Sequence, residues 1–303
     1  MHYFQVSFSI APSNYQYSFS SLASIYLSIY TNALYNISFA GQQPNDRPDI
    51  ISRVFQLKKE ALLNMLIKEG VLGRPIAHVH VIEFQKRGLP HMHLLIIFHT
   101  DDKLRTTDDY DACVSAEIPD KETEPKLYEL VQKHMMHGPC GELHPTSPCM
   151  KDGHCSKHYP KNFETFTSDS DDGYPKYKRR ENNRTVRKTI TENNTQRTLN
   201  LDNRLVVPYN KALLLTFETH INVEVCASIN AVKYLYLYIY KGHDRADIEL
   251  REKNTRTHDE ITHYMDTRYI SASEASWRIF NLRLHETEPH VERLAVHLEG
   301  GQR

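Results

Sequence analysis

Apolar residues dominate two neighbouring runs, residues 78–84 and 91–98, and polar residues are interspersed in the first run and at the start of the second. Between them, residues 86–90 contain the Gly and Pro that are typical of a turn. The pattern therefore predicts a β-hairpin. Because successive side chains on a strand point to opposite faces of a sheet, His91 and His93 are expected to lie on the same face.

Helical periodicity occurs in other parts of the chain. Residues 49–69 form an amphipathic pattern that ends at Gly70, and residues 125–137 form another that is closed by Gly138. Ser271 begins a further helix with a capping box. Short apolar runs predict additional strands at residues 205–208, 212–218 and 223–226. Strands and helices do not alternate strictly, which favours an α+β fold: an antiparallel β-sheet that carries the His-x-His strand and is backed by helices.

The composition is that of a globular protein of 303 residues, with 40% hydrophobic residues and a formal net charge of −1. A nearly neutral chain has no overall field that attracts nucleic acid, so a nucleic-acid surface has to be local. The cysteines are odd in number, and no secretory signal or membrane span is recognisable. These features predict an intracellular protein without membrane association. No pattern specifies the oligomeric state.

The first 45 residues contain no Lys, Arg, Asp or Glu, but many Ser and Tyr. Neither a signal peptide nor a membrane span has this composition. We expect residues 1–45 to be an atypical segment that reflects a degraded or mispredicted start. The remaining residues, 46–303, are expected to form the functional domain.

Two imidazoles and a carboxylate are expected to converge on one face of the hairpin. Glu83 lies across the turn from His91 and His93. Imidazole and carboxylate groups bind divalent metals, and the set predicts a site for Mg²⁺ or Mn²⁺. Gln85 occupies the same strand face two residues further on, and it is the alternative third ligand.

A predicted helix in the last third of the chain carries the second half of the chemistry. Tyr234 and Tyr238 share one face about 6 Å apart, and Lys241 lies on that face as well. Tyr236 and Tyr240 fall on the opposite side, where packing is the expected role. A metal site combined with two tyrosines is the equipment of an endonuclease that cuts single-stranded DNA through a phosphotyrosine. The spacing does not decide which of the two attacks first.

Further motifs occur in a fixed order from residue 41 towards the C-terminus. They include Gly41-Gln42-Gln43-Pro44-Asn45, Glu83-Phe84-Gln85-Lys86-Arg87-Gly88-Leu89-Pro90-His91, His137-Gly138-Pro139-Cys140-Gly141, Ile221-Asn222-Val223-Glu224-Val225-Cys226 and Tyr240-Lys241-Gly242-His243-Asp244-Arg245. In order and spacing, the chain resembles the Rep region of Helitron rolling-circle transposases, which is called the Helitron helicase-like domain. The resemblance assigns residues 46–303 to this domain, with a Cys/His-rich insert at about 137–190.

The resemblance implies a fold and a reaction. The fold is that of HUH endonucleases, which are named for the His-x-His strand. In the reaction, Tyr234 or Tyr238 attacks single-stranded DNA and leaves a 5′-phosphotyrosine and a free 3′-OH, within rolling-circle transposition in the nucleus. Relatives usually carry Lys before the second Tyr, where Leu237 stands here, so weaker activity is expected.

Full-length relatives of this family also carry a C-terminal helicase domain. The sequence contains no Gly-x-x-x-x-Gly-Lys-Ser/Thr loop, so we expect a truncated copy without its helicase. The alternative function is that of a non-catalytic remnant that binds single-stranded DNA and is folded around a structural zinc.

The predicted insert is rich in Gly, Pro, Asp and Ser, and it contains three of the five cysteines. Irregular segments of this kind often need a metal to hold them together. The set His137, Cys140, Cys149 and Cys155 predicts a structural Zn²⁺ site. Reduced cysteines that pack in a loop-rich region are the alternative.

A basic segment with an interleaved Tyr lies at the end of this insert, as expected for a surface that binds single-stranded DNA. Its candidate DNA-binding residues are Lys176, Lys178, Arg179, Arg180, Arg184, Arg187 and Lys188. A solvated loop and a nuclear localisation signal are the alternative interpretations.

Overall fold

The computed structural model describes residues 46–84, 89–170, 173–192, 195–226 and 270–290, together with the backbone of residues 22–28. Its strands are β1 (Leu22–Ser28), β2 (Pro75–Phe84), β3 (Pro90–Phe98), β4 (Met150–Lys151), β5 (His154–Cys155), β6 (Val186–Glu192), β7 (Thr195–Leu201), β8 (His220–Cys226) and β9 (His285–Glu288). Its helices are α1 (Pro48–Leu63), α2 (Thr107–Cys113), α3 (Pro125–His134), α4 (Lys211–Phe217) and α5 (Ala272–Ile279).

Five strands form an antiparallel sheet in the order β8-β1-β3-β2-β9, so β3 lies at its centre. The predicted hairpin is formed by β2 and β3, with Glu83 opposite His91 and Val81 opposite His93. Small two-stranded sheets, β4-β5 and β6-β7, complete the described strands. The predicted α+β class with an antiparallel sheet is therefore confirmed.

The uncharged N-terminal segment supplies one strand of this sheet. β1 pairs with β3 on one side and with β8 on the other. A strand with a partner on both edges lies inside the sheet, and such strands are commonly poor in charged residues. The lack of charge that suggested a degraded start is thus compatible with an interior strand.

The main hydrophobic core lies between one face of the sheet and the helices α1 and α5. It includes Phe55 and Leu62 from α1, Met92 and Leu94 from β3, and Trp277 from α5. The rings of Phe55 and Trp277 meet edge to face with their centroids 5.7 Å apart. This packing covers one face of β3 and leaves the face that carries His91 for other contacts.

The helices predicted at residues 49–69, at residues 125–137 and after Ser271 form, with small differences at their ends. α1 begins with Pro48 in its first turn and continues as a π-helical turn over Asn64–Lys68, before Gly70 takes a φ of +64°. α3 ends at His134, because the backbone of the next residues bonds elsewhere: His137 N–H donates to the carbonyl of Leu205.

The predicted strand at residues 212–218 is wrong, because this segment is the helix α4. Asn210 caps the helix by accepting a hydrogen bond from the Leu213 N–H at 3.0 Å. The apolar run is also too short for its period to separate a strand from a buried helix. The strand predicted at residues 205–208 is also wrong, because Leu205 ends a 3₁₀ turn over Asn203–Leu205 and Val206 makes only an isolated bridge with Met136. The strand predicted at residues 223–226 is confirmed within β8.

A second hydrophobic cluster joins α3, α4 and the β6-β7 hairpin. Its buried members include Leu127, Leu130, Leu201, Tyr209 and Leu214. Within the described ranges, no helix combines the length and the apolar character that crossing a membrane requires.

Candidate functional site

The hairpin brings His91 and His93 together on one face of β3. Their ring centroids lie 4.7 Å apart and their planes are inclined at 71°, so the rings converge. The alternation of strand side chains produces this arrangement, because Met92 between them enters the hydrophobic core with none of its surface exposed.

Glu83 meets this pair from the neighbouring strand. Its Oε2 lies 3.4 Å from Nε2 of His93, and the side chain of Glu83 is 37% exposed against 13% for His93. Glu83 is directly opposite His91 in the β2-β3 register. The structure therefore brings the three residues predicted as metal ligands side by side.

The surroundings of His91 favour its neutral form. Burial, together with the charges of His93, His220 and Lys157, lowers the pKa of His91 to about 3. Its Nδ1 is buried and has no hydrogen-bond partner among the described residues. A neutral imidazole is the form that binds a metal, and a buried nitrogen without a partner is a group that a metal would satisfy.

A second His-x-His pair lies on the neighbouring strand, and its rings are arranged differently. His78 and His80 lie on the core face of β2, with their rings parallel at 3° and their centroids 6.3 Å apart. Both side chains are buried. The pair on β3 differs from this one in its shorter ring separation and in its tilted planes.

Three polar residues on β8 share the face that carries His91. His220, Asn222 and Glu224 alternate along this strand with Ile221, Val223 and Val225, which are buried in the core. The strand register links His220 to His91, because both pair with Ser28 of β1. Sequence reasoning had assigned these residues no role, although their period-two alternation was a visible signal.

The environment of Glu224 raises the pKa of its carboxyl group. Burial raises the pKa of Glu224, while a 3.1 Å hydrogen bond from Asn222 Nδ2 and the charges of Lys161 and Arg179 oppose the shift. The face next to the His pair therefore carries a carboxyl group that ionises less readily than usual.

The predicted Cys/His set is brought together in space. The ligand atoms of His137, Cys140, Cys149 and Cys155 all lie within 4.8 Å of one another. Among the described residues, no other group of three or more His, Cys, Asp or Glu side chains converges in this way. This cluster could bind a metal such as zinc. Structural zinc sites typically have four ligands, which are thiolates or a combination of thiolates and imidazoles.

The thiols of this cluster differ in their ease of ionisation. Burial raises the pKa of Cys140 to about 12, and its neighbours Cys155 and Cys149 add to the shift. Burial also opposes ionisation of Cys155, but hydrogen bonds from the backbone of Tyr159 and Lys157 and from the thiols of Cys149 and Cys140 together lower its pKa. Thiolate is the form that binds a metal, and Cys155 is the first of the two to supply it.

Local structure positions the four ligands. The β4-β5 hairpin turns at Asp152 and Gly153, both with positive φ, and so places Cys149 and Cys155 next to each other. His137 stacks on Tyr159 with the ring centroids 4.2 Å apart. Burial lowers the pKa of His137 to about 4, which keeps its imidazole neutral.

The predicted DNA-binding residues occupy different environments. Lys178, Arg180 and Arg184 form ion pairs with Asp111, Glu117 and Asp120, respectively. Arg179 is 4% exposed, and its guanidinium donates to the carbonyls of Ala116, Asn203 and Val206. The remaining three, Lys176, Arg187 and Lys188, are exposed.

Several predicted groups lie outside the described residues. These are the catalytic candidates Tyr234, Tyr238 and Lys241, the neighbouring Leu237, Tyr236 and Tyr240, and the alternative ligand Gln85. Their position next to the His pair therefore stays a prediction.

Residues 27–96 match the family model described as the Helitron helicase-like domain at the N-terminus. The matched stretch contains Glu83, His91 and His93. The resemblance inferred from the sequence motifs is confirmed for this region, which is Helitron-related. Comparison with curated proteins finds no match.

Proposed function

We propose that this chain is a HUH-type endonuclease and strand transferase that acts on single-stranded DNA in Helitron-type rolling-circle transposition. The observation that carries the proposal is the convergence of His91 and His93 on the central strand, with Glu83 beside them. All three fall inside the matched region 27–96. The match to a Helitron-related region and the adjacent imidazoles that could bind a metal together support DNA as the substrate.

Glu83, His91 and His93 would hold Mg²⁺ or Mn²⁺. When bound, the ion would supply positive charge that polarises the scissile phosphate. The chain's own contribution at this point is rigidity, because Met92 anchors β3 in the core between the two ligands. Burial keeps the imidazole of His91 neutral and ready to donate its lone pair.

Tyr234 or Tyr238 supplies the nucleophile in this proposal. The phenolic oxygen forms a bond to phosphorus, the bond from phosphorus to the 3′ oxygen breaks, and the leaving oxygen takes a proton to become the 3′-OH. A free Tyr has a pKa of about 10, so nearby positive charge is needed to favour the phenolate. Lys241 is the protein group proposed to provide it.

The Cys/His cluster is proposed to hold a structural Zn²⁺ that shapes the insert at about 137–190 within a domain spanning 46–303. The convergence of the four ligands supports this assignment. We propose that three basic residues contact the DNA backbone: Lys176, Arg187 and Lys188. They are exposed, whereas the other members of the basic set are buried or form the ion pairs described above.

A covalent-adduct assay tests the proposal. The protein is incubated with end-labelled single-stranded DNA and Mn²⁺, and the product is run under denaturing conditions. We expect a labelled species that survives SDS and migrates with the protein. His91→Ala and His93→Ala should abolish it but retain DNA binding, because the basic residues lie outside the His pair. Full adduct formation by the double variant would remove the metal-site proposal.

A non-catalytic protein that binds single-stranded DNA around a structural zinc is the second candidate. The specific observation in its favour is that four ligand atoms lie close together in the Cys/His cluster, whereas Glu83, His91 and His93 do not form such a group. DNA binding without any adduct, at saturating Mn²⁺ and across several DNA sequences, would favour this candidate.

A further inference from the structure

His220 lies in a row of residues that crosses the sheet perpendicular to its strands. Glu83 of β2 pairs with His91 of β3, His91 pairs with Ser28 of β1, and Ser28 pairs with His220 of β8. Directly paired residues project from the same face of a sheet. His91 and His220 are separated by one strand, which puts their Cα atoms about 10 Å apart at ordinary strand spacing.

A short hydrogen bond determines which nitrogen of His220 carries the proton. Nδ1 of His220 lies 2.6 Å from the backbone carbonyl oxygen of His134, at the end of α3. A carbonyl oxygen can only accept, so Nδ1 must be the donor. With the proton on Nδ1, Nε2 of the neutral ring carries the lone pair.

This arrangement is the usual one for a histidine that binds a metal. One ring nitrogen donates to a backbone carbonyl, which fixes the tautomer and the orientation, and the other is left to coordinate. Protonation of His220 would lower the pKa of His91, so the two side chains are close enough to interact electrostatically.

We propose that His220 supplies a third imidazole, through Nε2, to the cation site of His91 and His93. The inference rests on the proposed function, because it adds a ligand to the same site. It implies a site with three imidazoles and one carboxylate, which suits Mn²⁺ and other transition metals better than Mg²⁺, since Mg²⁺ prefers oxygen ligands.

The matched variant is His220→Asn. Asparagine retains an N–H donor close to the position of Nδ1 and so can still serve the His134 carbonyl, but it has no equivalent of Nε2. His290→Asn is the control, because His290 is exposed beyond β9. Circular dichroism melting of each variant reports whether the fold is retained.

Calorimetric titration of the full chain with Mn²⁺ tests the assignment. We expect His220→Asn to weaken binding by about tenfold or more, His91→Ala to weaken it as well, and His290→Asn to leave it unchanged. Pulsed EPR of the wild-type chain with Cu²⁺ should count three coordinated imidazoles, independently of any variant.

Two results would overturn the inference in distinguishable ways. In the first, His220→Asn binds Mn²⁺ as tightly as the wild type, or EPR counts two imidazoles, while His91→Ala loses affinity. His220 would then have only a structural role, and the proposed function would stand. Unchanged affinity in His91→Ala would overturn both the inference and the proposed metal site.

Discussion

Arg179 and Arg187 belong to the same basic segment, but their surroundings give them different roles. The guanidinium of Arg179 lies inside the protein and donates to carbonyls from three separate segments, which ties these segments together. Arg187 is exposed on β6. A side chain with its donors already satisfied in the interior has nothing left for phosphate, whereas an exposed one does.

Replacing these two arginines should therefore separate stability from DNA binding. Arg179→Met should lower the free energy of unfolding by about 3 kcal/mol, because three carbonyls lose their donor. Arg187→Ala should leave stability unchanged and weaken binding of single-stranded DNA, with the salt slope reduced by about 0.7 for one lost phosphate contact. Urea unfolding and fluorescence anisotropy at several salt concentrations measure the two effects. Equal loss of DNA affinity in folded Arg179→Met would contradict the assignment.

Among the proposed metal ligands, Glu83 makes a direct contact with the His pair. Because its Oε2 lies 3.4 Å from Nε2 of His93, Glu83→Ala should weaken Mn²⁺ binding by about tenfold. Calorimetric titration provides the measurement, and Glu286→Ala, on the core side of the same sheet, is the matched control. Unchanged affinity in Glu83→Ala would transfer the third-ligand role to Gln85.

At the scale of elements, periodicity was informative where it was long or strictly alternating. The β2-β3 hairpin and the helix α1 follow from such patterns, and so does the face shared by His91 and His93. The α4 segment was wrongly predicted as a strand, since its short apolar run carries no clear period and its cap at Asn210 went unrecognised. β1 was missed because its segment, Leu22–Ser28, carries no charged residue that would distinguish one face of the strand from the other.

The candidate site was predictable only in part for a similar reason. The Cys/His set could be chosen from its spacing, because few ligands compete within such a short segment. His220 could not, since its proximity to His91 depends on β1 lying between β3 and β8. Long-range strand order is a tertiary property that a local pattern does not encode.

Metal removal should act on one element of the insert first. Purified protein is expected to carry about one Zn²⁺, and chelation should open the β4-β5 hairpin before the central sheet, because the metal links Cys149 and Cys155 across it. Elemental analysis and hydrogen exchange followed by mass spectrometry check this. Glu142→Ala, at an exposed residue of the insert, serves as a control that leaves all four ligands in place. If protein purified without chelators contains no zinc, the zinc site is wrong and the cysteines are reduced residues that pack in the insert.

The core face of β2 predicts an acid sensitivity. Burial, helped by the charges of Lys59, His78 and His285, lowers the pKa of His80 to about 3, well below the value of about 6.5 for an unfolded His. Below that unfolded value the unfolded chain takes up a proton that the folded chain refuses, so stability is present above pH 6.5 and is lost as the pH falls towards 3.

The variant His80→Leu should therefore unfold with a shallower pH dependence between these values, by at most about 1.4 kcal/mol per pH unit. The exposed His290→Gln should leave the slope unchanged. Urea unfolding at a series of pH values is the measurement, and parallel curves for wild type and His80→Leu would show that His80 is not held neutral by the fold.

At the scale of the whole molecule, two candidate metal centres are linked through α3 and the residues that follow it. The carbonyl of His134 holds His220 on the sheet face that carries His91, and His137, three residues further on, belongs to the Cys/His cluster. Lys157 lowers the pKa of both His91 and His137, so its charge acts on both centres. We therefore expect that loss of the cluster metal also weakens Mn²⁺ binding at the hairpin.

Identification of the residue that becomes linked to DNA tests the central claim most directly. The adduct formed with single-stranded DNA and Mn²⁺ is digested with protease and nuclease, and the modified peptide is sequenced by mass spectrometry. We predict a phosphotyrosine at Tyr234 or Tyr238, its loss in the Tyr234→Phe, Tyr238→Phe double variant, and its retention in Tyr236→Phe. An adduct that persists in the double variant, or one that forms without His91 and His93, would contradict the account.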